Sequence, residues 1–180
     1  EKANFLRLLD LFCGAGGAAM GYHRAGFDEI VGVDIKPMPH YPFTFVQADA
    51  LAYVAEHGRE FDAIHASPPC QGYSALLCLP WLRGRIYPRL IEPLRPLLRT
   101  LGVTWVMENV ARAPLAGITL CGSMFGLPTY RHRIFESEML LLQPAHQKHQ
   151  VVIGHGRMVN DRRKGTLNNS SAKGAWGNQA

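Results

Sequence analysis

The chain has 180 residues, 47% of them apolar, with 19 Lys and Arg against 14 Asp and Glu for a net charge of +5. That length fits one principal domain, and that apolar content is enough to fill a core. No apolar run is long enough to cross a bilayer and no signal peptide is visible, so membrane association is not expected and a cytoplasmic location is.

In chain order, residues 6–11 read as a strand that breaks into the glycines of Cys13-Gly14-Ala15-Gly16-Gly17. A helix over 17–25 follows. Strand, glycine turn and helix open a nucleotide-binding α/β unit, in which glycines let backbone approach a ligand. The glycines lack the full G-x-G-x-x-G spacing of a dinucleotide loop. A second strand, 29–34, closes on Asp34, placed where an acid bonds ribose hydroxyls in such folds. A strand over 43–47 leads to Asp49, a natural N-cap for a helix over 50–57.

The strand 61–66 runs into Pro68-Pro69-Cys70-Gln71. Two prolines stiffen this turn, so Cys70 sits at a strand end in a rigid loop, as a nucleophile is held. The loop spans 67–86 and carries Arg83 and Arg85, followed by Arg89, with Trp81 and Tyr87 interleaved. Arginine among aromatics suits contact with phosphates and bases. A helix is expected over 87–101. The strand 103–109 ends in Glu108 and Asn109, at the sheet edge that carries Cys70. Strands at 117–121 and about 132–142 complete a mostly parallel sheet with helices on both faces.

The charge is uneven. Residues 151–180 hold Arg157, Arg162, Arg163, Lys164 and Lys173 against Asp161. A basic, Gly- and Asn-rich tail suits nucleic-acid contact or simple solvation. Among Cys13, Cys70, Cys78 and Cys121 there is no C-x-x-C pair, so free thiols are expected. His146 and His149 form H-x-x-H with His155 close by, but the pattern offers too few ligands for a zinc site, and no metal is expected.

Four motifs together resemble the DNA (cytosine-5)-methyltransferases. They are Asp10-Leu11-Phe12-Cys13-Gly14-Ala15-Gly16-Gly17, Pro69-Cys70-Gln71-Gly72-Tyr73-Ser74, Glu108-Asn109-Val110, and Phe125-Gly126-Leu127-Pro128-Thr129-Tyr130-Arg131-His132-Arg133. They occur in the family's order, and the resemblance covers about residues 6–137. It implies a Rossmann-like S-adenosylmethionine-dependent methyltransferase fold. It also implies methyl transfer to carbon 5 of cytosine in DNA, with the base flipped from the helix.

By the same resemblance Cys70 adds to carbon 6 and makes carbon 5 nucleophilic. Glu108 meets ring nitrogen 3, Arg133 meets the O2 oxygen, and Arg131 orders the loop or meets a phosphate. Phe12 stacks on the cofactor adenine, Asp34 bonds the ribose and Asp49 contacts the adenine amino group. Cys13, Gly14, Ala15, Gly16, Gly17, Ile35, Ala50 and Pro69 line that site. Gln71, Ser74, Asn109, Arg83 and Arg85 are assigned to the DNA.

The resemblance departs from the family at Thr129, where a Gln is usual. Residues 1–143 are read as the catalytic, cofactor-binding domain. Residues 144–180 are read as a basic, partly irregular tail that stands for a reduced or incomplete target-recognition region. A monomer acting on duplex DNA is expected. Methylation of RNA, or a non-catalytic module binding nucleic acid or S-adenosylmethionine, are the alternatives.

Overall fold

The computed structural model describes residues 5–74, 79–82, 84–146 and 149. Seven strands form one sheet: β1 (Arg7–Leu11), β2 (Glu29–Asp34), β3 (Thr44–Gln47), β4 (Ala63–Ala66), β5 (Thr104–Val110), β6 (Ile118–Cys121) and β7 (His132–Ser137). Their order is β3-β2-β1-β4-β5-β7-β6. Helices α1 (Gly17–Arg24), α2 (Ala50–His57) and α3 (Ile91–Leu101) connect the parallel part. The pairs β1–β2, β1–β4, β2–β3 and β4–β5 are all parallel. Beyond them β6 and β7 reverse direction, with Gly117 against Phe135 and Gly122 against Thr129.

The chain's contacts divide it into two units. One is Glu1–Ile118 with Ile134–Leu141, and the other is Thr119–Arg133 with Leu142–Ala180. The division runs inside residues 1–143, because Thr119–Arg133 group with residues after Leu141. The basic tail 151–180 lies outside the described residues, as do Cys78 and Arg83.

Alternation along β1 sends its side chains to opposite faces. Leu9 and Leu11 join Val31, Val33, Val54, Ile64, Leu94, Leu98 and Met107 in the larger core cluster, under α2 and α3. Leu8 joins Cys13, Ala19, Ile30 and Tyr41 in a smaller one, on the side of α1. Helices on both faces explain why Leu8, Leu9 and Leu11 of β1 are apolar with no in-and-out alternation.

Two element boundaries differ from the sequence expectation. The helix expected from residue 87 begins at Ile91. Pro88 disfavours helical backbone at Tyr87, whereas Pro93 falls in the first turn, where a missing N–H costs nothing. Gly102 ends the helix at φ 69°. The strand expected to reach 142 stops at Ser137. There the Ser137 hydroxyl donates to the Trp105 carbonyl at 2.6 Å and accepts the Met139 N–H at 3.1 Å, taking over backbone hydrogen bonding and ending the ladder. Nearby, the buried Glu136 accepts from Nε and Nη2 of Arg95, at 2.7 and 2.9 Å, and from the Ala116 N–H at 2.8 Å. This carboxylate fastens α3 to β7.

Asp10 is fully buried in β1. Its Oδ2 accepts the Tyr41 hydroxyl at 3.1 Å, and its Oδ1 has no partner among the described residues. Gly32, the β2 neighbour of Asp10, leaves the space into which the Tyr41 ring packs; a Cβ there would collide with that ring. Burial lifts the Asp10 carboxyl to about 7 against the opposing pull of the Tyr41 hydrogen bond. On the other flank His65, the β4 neighbour of Asp10, lies 3.2 Å from the Tyr22 hydroxyl, and burial lowers it to about 4. Burial thus favours the neutral form of both groups.

The two groups pull stability in opposite directions with pH. Asp10 keeps its proton in the fold after the unfolded chain has lost it, so its contribution falls as pH rises from about 4 to 7. His65 takes up its proton more readily unfolded, so its contribution rises over about pH 4 to 6.5. Asp10→Asn isolates the first effect. Its stability relative to the wild-type chain should grow by roughly 2–4 kcal/mol between pH 4 and pH 8, read from urea unfolding. A pH-independent difference would contradict the buried, proton-retaining Asp10.

Candidate active site

The sheet order places a crevice at the C-terminal ends of β1 and β4. From β1 the chain leaves toward β2, and from β4 toward β5, on opposite sides. Such a reversal is where open parallel sheets bind ligands. The glycine loop follows β1 and the Cys70 loop follows β4.

In the glycine loop, Phe12 holds a positive φ of 59°, unlike every other described non-glycine residue. A bulky residue in the left-handed region costs of order 1–3 kcal/mol and marks a position held for a purpose. Gly14 and Gly16 also have positive φ, 49° and 84°. At Gly16 a Cβ would also lie 2.6 Å from Pro42. Gly17 has neither constraint: its φ is not left-handed and a Cβ would meet nothing within 4 Å. Among the described residues nothing therefore requires glycine there, and the space remains open. Ala15 is exposed beside it.

Asp34 ends β2, beside the glycine loop. Its Oδ2 accepts the Gly14 N–H at 3.2 Å and its Oδ1 the Lys36 N–H at 3.0 Å. These bonds fix the carboxylate, and each oxygen keeps a further acceptor position. Ile35, next in line, is exposed, and its carbonyl accepts from the Gln47 side chain. Asp49 caps α2, accepting the Ala52 N–H at 2.9 Å, and Ala50 is buried behind it. Cys13 is buried, and burial with the nearby Asp10 and Asp34 pushes its thiol up to about 12. It cannot serve as a thiolate near neutral pH.

The Cys70 loop is tied at both ends. Parallel pairing sets Ala66 against Met107, so Ser67–Cys70 and Glu108–Val110 leave neighbouring strand ends. The Asn109 amide donates to the Pro68 carbonyl at 2.8 Å, and its oxygen accepts the Val110 N–H at 2.9 Å. Asn109 is 1% exposed. It was expected at the DNA, yet its side chain joins the ends of β4 and β5 and sets the Pro68-Pro69-Cys70 turn. Alternation along β5 puts Asn109 on the core face with Trp105 and Met107, and Glu108 on the other. Pro69 and Cys70 are half-buried, and Cys70 starts a 3-10 turn over Gln71–Tyr73.

Tyr73 anchors the other end. It is buried, its hydroxyl accepts the Ile91 N–H at 3.1 Å, and it donates to Glu92 at the start of α3. The Arg89 guanidinium lies 5.0 Å from the centre of the Tyr73 ring and pairs with Glu92 at 3.1 Å. Arg89, expected to face phosphate, braces Tyr73 and Glu92 while its side chain stays 60% exposed. Gln71 is exposed and Ser74 half-buried at the mouth of the loop. Farther along, Trp81 is 65% and Ile86 97% exposed, with exposed Arg85 between them. Arg131 and Arg133 belong to the second unit, where Arg133 donates to the His132 carbonyl at 2.9 Å.

Sequence reasoning missed the roles of Tyr73, Asn109 and the pair Tyr41–Gly32. Period-two alternation held the signal for Asn109. Tyr73 and Tyr41 act through long-range contacts that no local pattern announces.

Comparison with known proteins agrees with this geometry. The family model for "C-5 cytosine-specific DNA methylase" matches residues 6–76, from β1 through the Cys70 loop. The chain is 30% identical to Type II methyltransferase M1.HphI of Haemophilus parahaemolyticus, over 86% of this chain and 54% of that protein. It is 30% identical to Type II methyltransferase M.XorII of Xanthomonas oryzae pv. oryzae, over 73% of this chain and 31% of that protein. The chain thus spans about half or less of the length of these curated relatives. A crystal structure described as a DNA modification methyltransferase encoded within an E. coli prophage superposes with a TM-score of 0.54 at 26% identity. That match covers 72% of this chain and 45% of the other. Residues 6–76 thus match the C-5 cytosine-specific DNA methylase family, and they lie in a seven-stranded Rossmann-like sheet of the methyltransferase type.

Proposed function

We propose that this protein transfers a methyl group from S-adenosylmethionine to carbon 5 of cytosine in DNA, through a covalent adduct of Cys70 with a flipped base. The observation that carries the reading is the buried hydrogen bond from Asn109 to the Pro68 carbonyl. It fixes a cysteine turn beside a strand-end glutamate, across the crevice from a glycine loop. A structural cysteine has no use for that arrangement.

The residues around β1 and β2 fit the cofactor. Gly17 is under no requirement from the described residues, so the open space it leaves suits a ligand passing close to the backbone. The strained Phe12 offers a ring at the strand end, and the fixed Asp34 carboxylate offers acceptors for two hydroxyls. Asp49, Ile35 and Pro69 complete the enclosure. S-adenosylmethionine, when bound there, supplies the electrophilic methyl group that carbon 5 takes.

The chain's own groups do the rest. The Cys70 sulfur forms a bond to carbon 6, and the electron pair of the 5,6 double bond moves toward carbon 5 and ring nitrogen 3. Glu108 donates a hydrogen bond or proton at nitrogen 3, offsetting the developing charge. Arg133 is assigned to the O2 oxygen and Arg131 to loop order or a phosphate, on motif order in the sequence. After methylation, loss of the carbon 5 proton expels Cys70 and restores the aromatic ring. Gln71, Ser74, Arg83 and Arg85 are assigned to the DNA on the sequence, and exposed Trp81 and Ile86 support that reading, because arginine and apolar side chains meet phosphates and unstacked bases.

Incubation with methyl-labelled S-adenosylmethionine and either duplex DNA or tRNA tests the reading. Label should appear at carbon 5 of cytosine in DNA. Label in tRNA alone would assign the RNA reaction, and cofactor binding without transfer would make the chain a binding module. Cys70→Ser should abolish transfer with cofactor affinity nearly unchanged, and DNA containing 5-fluorocytosine should trap a covalent adduct with the wild-type chain. Full activity of Cys70→Ser would exclude the covalent route.

Asn109→Ala should lower kcat by about 10- to 100-fold while the cofactor Kd changes little, because it displaces the nucleophile and leaves the cofactor side intact. An unchanged kcat would show that the Pro68 contact does not position Cys70. Asp34→Ala should weaken S-adenosylmethionine by roughly 1–3 kcal/mol in calorimetry, the cost of hydroxyls left unpaired. Undiminished affinity would take Asp34 out of the cofactor site.

A further inference from the structure

The second unit brings Cys121, His132, His146 and His149 together. Cys121 ends β6, His132 begins β7, and the two meet because these strands reverse on each other. The chain beyond β7 then returns with His146 and His149. One ligand atom from each of the four residues lies within 4.8 Å of all the others. Two of the separations match a tetrahedral ion. Bonds of about 2.3 Å to sulfur and 2.0–2.1 Å to nitrogen set ligand atoms about 3.6 Å apart for sulfur and nitrogen, and about 3.3 Å apart for two nitrogens. The Cys121 Sγ lies 3.4 Å from His149 Nε2, and His132 Nε2 lies 3.2 Å from His146 Nε2.

We propose that Cys121, His132, His146 and His149 form a structural zinc site. Four protein ligands of one thiolate and three imidazoles close a tetrahedron and leave no position for a reacting water, which marks a structural rather than a hydrolytic centre. Sulfur and nitrogen donors without a carboxylate select against magnesium and calcium. The supporting contacts fit a metal thiolate. Ser123 Oγ donates to Cys121 Sγ at 3.3 Å, and the Tyr130 ring stacks on His149 at 4.1 Å between centres, 21° from parallel. The sequence pattern gave only H-x-x-H and no expectation of metal. The fold supplies the missing cysteine and the third histidine. The ion would clamp the β6–β7 turn to the segment after β7, and it would fix the backbone at His132, which lies between Arg131 and Arg133 in the sequence.

The test uses the full chain purified without a histidine tag. Mass-spectrometric metal analysis should find zinc in about one-to-one ratio with protein. After removal of zinc, added Co2+ should give the intense visible bands of tetrahedral cobalt and a sulfur-to-cobalt charge-transfer band. Zn2+ should bleach both. Cys121→Ser should lose the charge-transfer band, His146→Ala should lose most bound zinc, and His40→Ala, at an exposed histidine outside the cluster, should keep it. Chelation should lower the Tm. A wild-type chain that carries no zinc and shows no tetrahedral cobalt bands overturns the proposal, whatever the variants do. Full retention of zinc by both Cys121→Ser and His146→Ala overturns it as well.

Discussion

β1 must be buried on both faces, and much of the described architecture follows from that. It lies between β2 and β4 in a parallel sheet, with α1 on one side and α2 and α3 on the other. Leu8, Leu9 and Leu11 satisfy the demand directly. Asp10 satisfies it only because Gly32 makes room for Tyr41 to reach the carboxylate, and because burial keeps the acid's proton to about pH 7. A charged Asp10 would be an unpaired ion in an apolar layer, which costs far more than a protonated one. The central strand therefore ends in the glycine loop from a rigid base.

The same rigidity extends to the cysteine. Two prolines stiffen the turn, Asn109 holds its first residue to β5, and Tyr73 holds its far end to α3. Cys70 lies between these anchors. Cys13, by contrast, is buried with a thiol pushed up to about 12, which leaves Cys70 as the cysteine of this crevice proposed for covalent chemistry. Environment, not residue type, separates a structural thiol from a nucleophile. The Arg89–Glu92–Tyr73 cluster adds a brace at the surface end of the loop.

A zinc ion in the second unit would add a third rigid element by other means. Short strands and a connection with only a 3-10 turn at Gly122–Phe125 give Thr119–Arg133 little apolar surface to bury. A metal closes such a segment by coordination where a core cannot.

The parallel strands, their order along the chain and the motifs at their ends were written in local patterns. Apolar runs of strand length, glycines after β1, and acids after β2 and β3 are short-range signals, so they survive in one dimension. Residues that work through distant partners are not. Asn109 was readable as a polar strand end, but only the pairing of Ala66 with Met107 shows that it faces Pro68. Pro88 shifted the start of α3, and the Ser137 hydroxyl ended β7, through steric and hydrogen-bond effects within a few residues. Tertiary packing alone brought Tyr41 to Asp10 and Tyr73 to α3. It alone placed Cys121 beside three histidines, because those ligands come from three segments whose meeting depends on the reversal of β6 and β7.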